Sequence, residues 1–392
     1  MHTTIRLPSS AALAEQRSTV SYASTSAATA GPGNTITIVI ESGNSFVNWD
    51  TSFLDFRFAY TDQANATYSL GIGSALNVIE SITVTSRTGV EISRITQFNL
   101  WAAQYLNVGK SRCWKDSVGS GFFLNNTNTN ESKLNQDTAY QACIPMSALG
   151  GVFSGTQLCP PQICSGMRIE LLLSTNAKQC VVTAGNPDAG ATFQISLAKV
   201  SLDSFLLSDA SLRSLESTSA KNGLEYTFTS VATISDVTST TTSVEQPLQK
   251  AASRVLLAWT TSRTAGANND ANKDSFISDQ AVASYYYRFG SLYLPHAPIS
   301  GTGINGIYLY AYNQLGRVKH GLDSATFAGK HRLMIASIER STLLEFSGQA
   351  SNNSRSLSLL AQYQTAASRH VCSFVHHVSV ARAYLHNLVV SS

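Results

Sequence analysis

Along most of this chain apolar and polar residues alternate. Ile36, Ile38 and Ile40 share one face, and Leu54, Phe56, Phe58 and Tyr60 share another, opposite Phe53, Asp55, Arg57 and Ala59. A period of two is the mark of a strand with one buried side. Ile82 and Val84, the turn Arg87-Thr88-Gly89, then Val90 and Ile92 predict a hairpin. Strands are predicted again at 142–148, at 167–173 with Ile169, Leu171 and Leu173 inward, and at Phe193, Ile195 and Leu197. Leu224, Tyr226 and Phe228 make the next, followed by Val255, Leu257 and Trp259. Tyr285, Tyr287 and Phe289 alternate with Tyr286 and Arg288, with Gly290 interrupting and Pro295 and Pro298 ending the run. Residues 333–338, 343–346, 357–363 and 372–390 complete the set.

Two stretches change period. Phe98, Trp101, Ala102 and Tyr105 line one side of a helix, with Thr96 as its expected N-cap and Gly109 as its end. Ile304, Ile307, Tyr308, Ala311, Tyr312 and Leu315 line a second, closed by Gly316. Residues 110–137 and 261–279 read as long polar loops.

These elements divide the chain. Residues 1–34 are a polar arm ending at Gly31-Pro32-Gly33, expected to be mobile and to add little to the fold. A first eight-stranded sandwich is predicted over 35–208, a short helical linker over 209–222, and a second sandwich over 223–392. With 392 residues the chain is too long for one β-sandwich and suits two. The halves have similar lengths and element types, a repeat of structure without repeat of sequence.

Composition narrows the function. Charged residues are 13% of the chain, about half the usual share, with Ser, Thr and Asn in the polar positions. That suits half-buried strands and loops that pack on neighbours. The net charge is +3 and no run of Lys and Arg occurs, which argues against coating or sequence-specific reading of nucleic acid. Residues 1–30 have no apolar core and no stretch reaches the roughly 18 apolar residues of a membrane span. The expectation is a protein made inside the cell and not secreted, so the sequons at Asn65, Asn125, Asn130 and Asn352 carry no sugar. The six cysteines lack zinc spacing, although Cys159 and Cys164 flank Pro160-Pro161, and are expected to be buried free thiols.

Catalytic motifs are missing. There is no phosphate loop, since Gly329-Lys330 is followed by His331, and no nucleophile elbow, since Ser154 falls one place late in Gly151–Gly155. Asp203, Asp236 and Glu245 show no carboxylate pairing. His370, His376, His377 and His386 cluster near the C-terminus, which is the composition of a metal or pH-responsive site. Adjacent strand residues point to opposite faces, however, so His376 and His377 cannot chelate one ion. Tyr285, Tyr286 and Tyr287 suit a core strand better than a sugar-stacking platform. The expectation is a non-enzymatic protein with no catalytic, cofactor-binding or metal-binding residue.

Two further stretches carry a resemblance. Arg288-Phe289-Gly290-Ser291-Leu292-Tyr293-Leu294-Pro295 and, later, residues 375–390 (VHHVSVARAYLHNLVV) resemble the strand words of the second jelly roll in double jelly-roll major capsid proteins. These are the coat proteins of the tailless icosahedral phage, adenovirus and polinton-like virus lineage. The resemblance is specific over about 250–392. It implies an all-β protein of two consecutive eight-stranded jelly-roll sandwiches with short helices in the connections. It also implies a homotrimeric capsomer of pseudo-hexagonal outline that tiles an icosahedral virion shell. Its partners would be other copies of the chain, a penton protein and minor capsid proteins. The alternative is a two-domain β-sandwich that binds carbohydrate or a receptor; a β-sandwich hydrolase is disfavoured by the missing motifs.

Overall fold

The alternating segments form the strands their period predicts. The computed structural model describes residues 14–124, 133–208, 224–248, 252–264, 276–279, 281–300, 304–314, 324–339, 347–351, 355–384 and 388–392. The predicted linker at 209–222, the strand at 343–346, Leu315, Gly316 and His386 lie outside them.

Before residue 208 the principal strands are β1 (Ala14–Ala23), β2 (Thr35–Ile40), β3 (Phe46–Thr61), β4 (Ile79–Thr85), β5 (Glu91–Thr96), β6 (Tyr140–Pro145), β7 (Met167–Leu173) and β8 (Thr192–Leu207). After residue 224 they are β9 (Leu224–Val237), β10 (Thr241–Pro247), β11 (Ala252–Thr264), β12 (Val282–Phe289), β13 (Leu292–Ser300), β14 (Met334–Ser337), β15 (Leu357–Ala367) and β16 (Arg369–Ala383). The sheets are β1-β8-β3-β6 against β2-β7-β4-β5, then β9-β16-β11-β14 against β10-β15-β12-β13. Each half therefore joins its first, eighth, third and sixth strands in one sheet and its second, seventh, fourth and fifth in the other. That is a jelly roll, formed twice. Short strands extend the sheets at Thr29–Ala30, Gln349–Ser351 and Leu388–Ser391.

Helices occupy the same connection in both halves. α1 (Phe98–Gly109) and α2 (Arg112–Ser117) lie between β5 and β6, α3 (Pro161–Cys164) precedes β7, and α4 (Ile304–Gln314) and α5 (Ser324–Lys330) lie between β13 and β14. The stretch at 110–137, expected as open loop, thus carries α2 and a 3-10 turn at Gly119–Phe122.

The alternation sorts the core as expected. Ile36, Ile38, Ile40, Leu54, Phe56, Phe58, Tyr60, Ile169, Leu171 and Leu173 are all buried, and so are Tyr285, Tyr287 and Phe289. On the aromatic strand, Tyr287 donates to the Met334 carbonyl at 2.8 Å and shares a 2.9 Å bond with the Thr260 hydroxyl.

Three expectations are corrected. The arm at 1–34 contains β1, whose Ala14–Ala23 pairs with β8 in a sheet of the first jelly roll. Its polar sequence hid it, because an edge strand can satisfy polar side chains across the pair. Ser18 meets Ser204 at 3.0 Å, Ser21 meets Ser201 at 2.8 Å, and Arg17 grips Asp203 through two bonds of 2.8 and 2.9 Å. Burial raises the Asp203 carboxyl, but the bonds from Arg17 and Thr51 outweigh it and hold the group below its ordinary range.

The second correction is Leu197, expected inward. The register of β8 against β3 slips between Ser196 and Lys199, and Leu197 takes a φ of 53° and is 60% exposed. One extra residue turns the side chain out. The third is the end of the aromatic strand. Pro295 and Pro298 do not end the sheet; they lie in β13, which pairs with β12 across the turn at Gly290, whose φ is +61°. β13 is an outer strand, where a missing N–H costs no ladder bond.

Candidate functional site

With no catalytic constellation in the sequence, the informative places are the junction between the jelly rolls and the surfaces they present. The junction is built around α1. Its N-cap is Gln97 in a left-handed conformation, and not Thr96 as the sequence suggested. Thr96 closes β5, and its carbonyl accepts from Thr233 Oγ1 in the second jelly roll at 2.9 Å. The helix is buried on more than one side: Phe98, Leu100, Trp101, Ala103, Gln104 and Leu106 are all covered, because the second jelly roll closes over it.

Trp101 and Gln104 reach across to two histidines of the second half. Trp101 Nε1 donates to His376 Nε2 at 3.4 Å, and Trp259 Nε1 donates to the same nitrogen at 3.0 Å. The Tyr105 ring lies 4.8 Å from the His376 ring, and Trp259 stacks on Phe374 at 4.3 Å. Gln104 Nε2 donates to the Phe276 and Lys330 carbonyls, which turns its Oε1 to His331 Nδ1 at 2.8 Å. Burial drives both imidazoles down to about 3, helped by His377 beside His376 and by Lys115 and Lys330 near His331.

A second seam lies beside this one. Tyr226 Oη donates to the Val152 carbonyl at 2.9 Å, and Ser154 Oγ bridges the Thr229 backbone. Gly155 is required here, since a Cβ would overlap the Tyr226 hydroxyl.

The other described histidines of the predicted cluster, His370 and His377, do not converge with these. His370 meets Arg263 at 2.8 Å, and His377 is buried on the face opposite His376. Among the described residues no group of three or more His, Cys, Asp or Glu is placed to hold a metal ion. All six cysteines are free; burial raises the Cys180 and Cys372 thiols to about 12. The sequence showed Trp101 and Tyr105 one helical turn apart, but nothing in it pointed to their partners more than 150 residues on.

The outward surfaces are apolar in places. Leu309 is 55% exposed and Tyr312 47%, so Tyr312, placed on the buried stripe by its spacing, points away from the core. Ile307 and Ala311 do face inward, and Tyr308 packs on Phe327 at 5.6 Å. Next to α4, β13 exposes Leu292 and Tyr293, the latter edge-on to Tyr286 at 5.3 Å.

No family model and no curated protein sequence matches this chain. Solved structures do match it over nearly its whole length. The PBCV-1 protein VP54, fitted into a reconstruction of the virophage Sputnik, aligns with a TM-score of 0.68 at 13% identity, covering 96% of this chain and 97% of that one. The Faustovirus major capsid protein gives 0.63 at 8% identity, over 96% and 90%. The mavirus major capsid protein gives 0.57 at 10% identity, over 95% and 90%. This chain has their double jelly-roll fold. At these identities the likeness lies in how the strands are arranged and not in shared side chains.

Proposed function

We propose that this protein is the major capsid protein of an icosahedral virus and works by assembly. The observation that carries the reading is the paired jelly roll spanning 96% of the chain and 97% of the PBCV-1 protein, which leaves little of either outside the common fold. The buried junction supports it: two sandwiches locked side by side make one rigid block with two similar lobes. Three such blocks present six lobes, the outline of a pseudo-hexagonal tile. The exposed apolar residues of α4, β13 and the β8 bulge supply surface for contacts between copies. The proposed unit boundaries are 14–208 and 223–392, with 209–222 as linker. The proposed partners are other copies within the trimer, neighbouring capsomers, a penton protein and minor capsid proteins, and the proposed location is the virion shell.

Size-exclusion chromatography with light scattering tests this. The expected species is about three times the 42.0 kDa chain, with hexagonal particles in negative-stain images. A stable monomer at micromolar concentration without such particles would sink the reading.

A further inference from the structure

The contacts of α1 have a specific electrostatic requirement. His376 Nε2 receives two indole N–H groups, so it must carry no proton. Gln104 Oε1 can only accept, so His331 carries its proton on Nδ1. His331 Nε2 is then a bare nitrogen, fully buried and without a hydrogen-bond partner. A second proton on either ring is badly placed. On His376 it would face two donors across about 3 Å. On His331 it would create a buried N–H with nothing to accept it.

The surroundings offer no compensation. The titratable groups beside His376 are Tyr105 of α1 and His377 of its own strand, while β11 contributes Trp259 and β9 contributes Val231. Around His331 stand Lys115 of α2 and Lys330 of α5, both cations. Among the described residues no carboxylate acts on either ring.

We propose that α1 is an acid-sensitive latch: protonation of His376 and His331 releases the helix and separates the two jelly rolls while each keeps its own sheets. The sheets survive because every strand ladder is completed within one half, and the pairing that crosses between the halves is an isolated bridge between Gly151 and Thr229. The Tyr226 and Ser154 seam has no group that titrates on acidification, since burial pushes the Tyr226 phenol well above its ordinary range, so it resists the first stage of opening. The sign follows from the burial. Both rings ordinarily titrate near 6.5 and are held to about 3 in the fold. Their contribution to the junction is whole above about pH 6.5 and is lost progressively as pH falls toward 3.

The test titrates the full chain from pH 8 to pH 4. Hydrogen exchange of residues 98–109, corrected for intrinsic rates, follows the latch, and far-UV circular dichroism follows the sheets. The comparison is His331→Gln/His376→Gln, whose amides can keep neutral hydrogen bonds and cannot take a proton. The wild type should lose at least tenfold protection in α1 between pH 6 and 4 with its sheet signal intact, and the double variant should keep its protection. The proposal is overturned if helix and sheets are lost together, if the wild type stays protected to pH 4, or if the variant opens at the wild-type pH. Should the double variant not fold, His376→Gln alone must move the loss to lower pH, and an unmoved profile overturns the proposal equally.

Discussion

Replacing Arg369 should be among the most damaging single changes in the second jelly roll. Its side chain is 1% exposed. Nε donates to Asp279 Oδ2 at 2.6 Å, Nη1 to the carbonyls of Thr241 at 3.0 Å and Ala367 at 3.2 Å, and Nη2 to the Thr365 carbonyl at 2.9 Å. The guanidinium also sits 3.9 Å above the Tyr363 ring. Thr241 lies in β10 and Arg369 in β16, so one side chain ties the two sheets together. Arg369→Leu removes the cation, leaves Asp279 nearly buried without its partner and strips a donor from three carbonyls. Breaking one side of a buried pair costs about 3–5 kcal/mol. For a folding unit of this size each kcal/mol lowers Tm by about 2–4 °C, so the loss should be roughly 6–20 °C. Arg369→Lys keeps the charge but not the flat fork, and should recover only part of this. The double variant Arg369→Leu/Asp279→Leu should cost less than the sum of the single changes by about 1–3 kcal/mol, because it leaves no orphaned charge. Urea unfolding followed by circular dichroism measures the wild type, Arg369→Leu, Arg369→Lys, Asp279→Leu and the double variant. A cost below about 1 kcal/mol for Arg369→Leu would refute the reasoning, since it would mean water reaches the guanidinium.

Two further substitutions and a truncation extend the reasoning. Ile307→Asp puts a carboxylate where the side chain is buried and should cost several kcal/mol or leave insoluble protein, whereas Asn313→Asp on the exposed side of α4 should be nearly silent; equal soluble yields would mean α4 is not packed as described. Deleting residues 1–23 removes β1 and exposes the edge of β8 with Asp203 unpaired. A lowered melting temperature is expected, and an unchanged one would show that β1 adds nothing to the first jelly roll.

A rigid pair of lobes and an acid-sensitive junction make different demands on the same helix. Packing of Trp101, Tyr105, Trp259 and Phe374 supplies stiffness at neutral pH, and the two neutral imidazoles set the limit of that stiffness on the acid side. The trimer test and the latch test are independent, since the latch rests on the junction within one chain.

Local pattern by itself determined the strands, because a buried face imposes a period of two wherever it occurs. It placed Phe56, Tyr287 and Leu171 in the core, set α1 between β5 and β6, and divided the chain into two β units. It failed where the deciding partner was distant. β1 is polar over most of its length and is fixed as a strand by pairing that sets Asp203, Ser201 and Ser204 opposite it. Leu197 fits the inward alternation and is expelled by a one-residue slip against β3. Tyr312 fits the helical stripe, yet among the described side chains of α4 only Ile307 and Ala311 are fully covered. The histidines show the same division. Alternation separated His376 from His377, but that both would be buried, and that His376 would receive two indoles, depended on α1 arriving from 275 positions earlier in the chain. Periodicity reports which face of an element is covered; what covers it is decided by packing between segments that share no local signal.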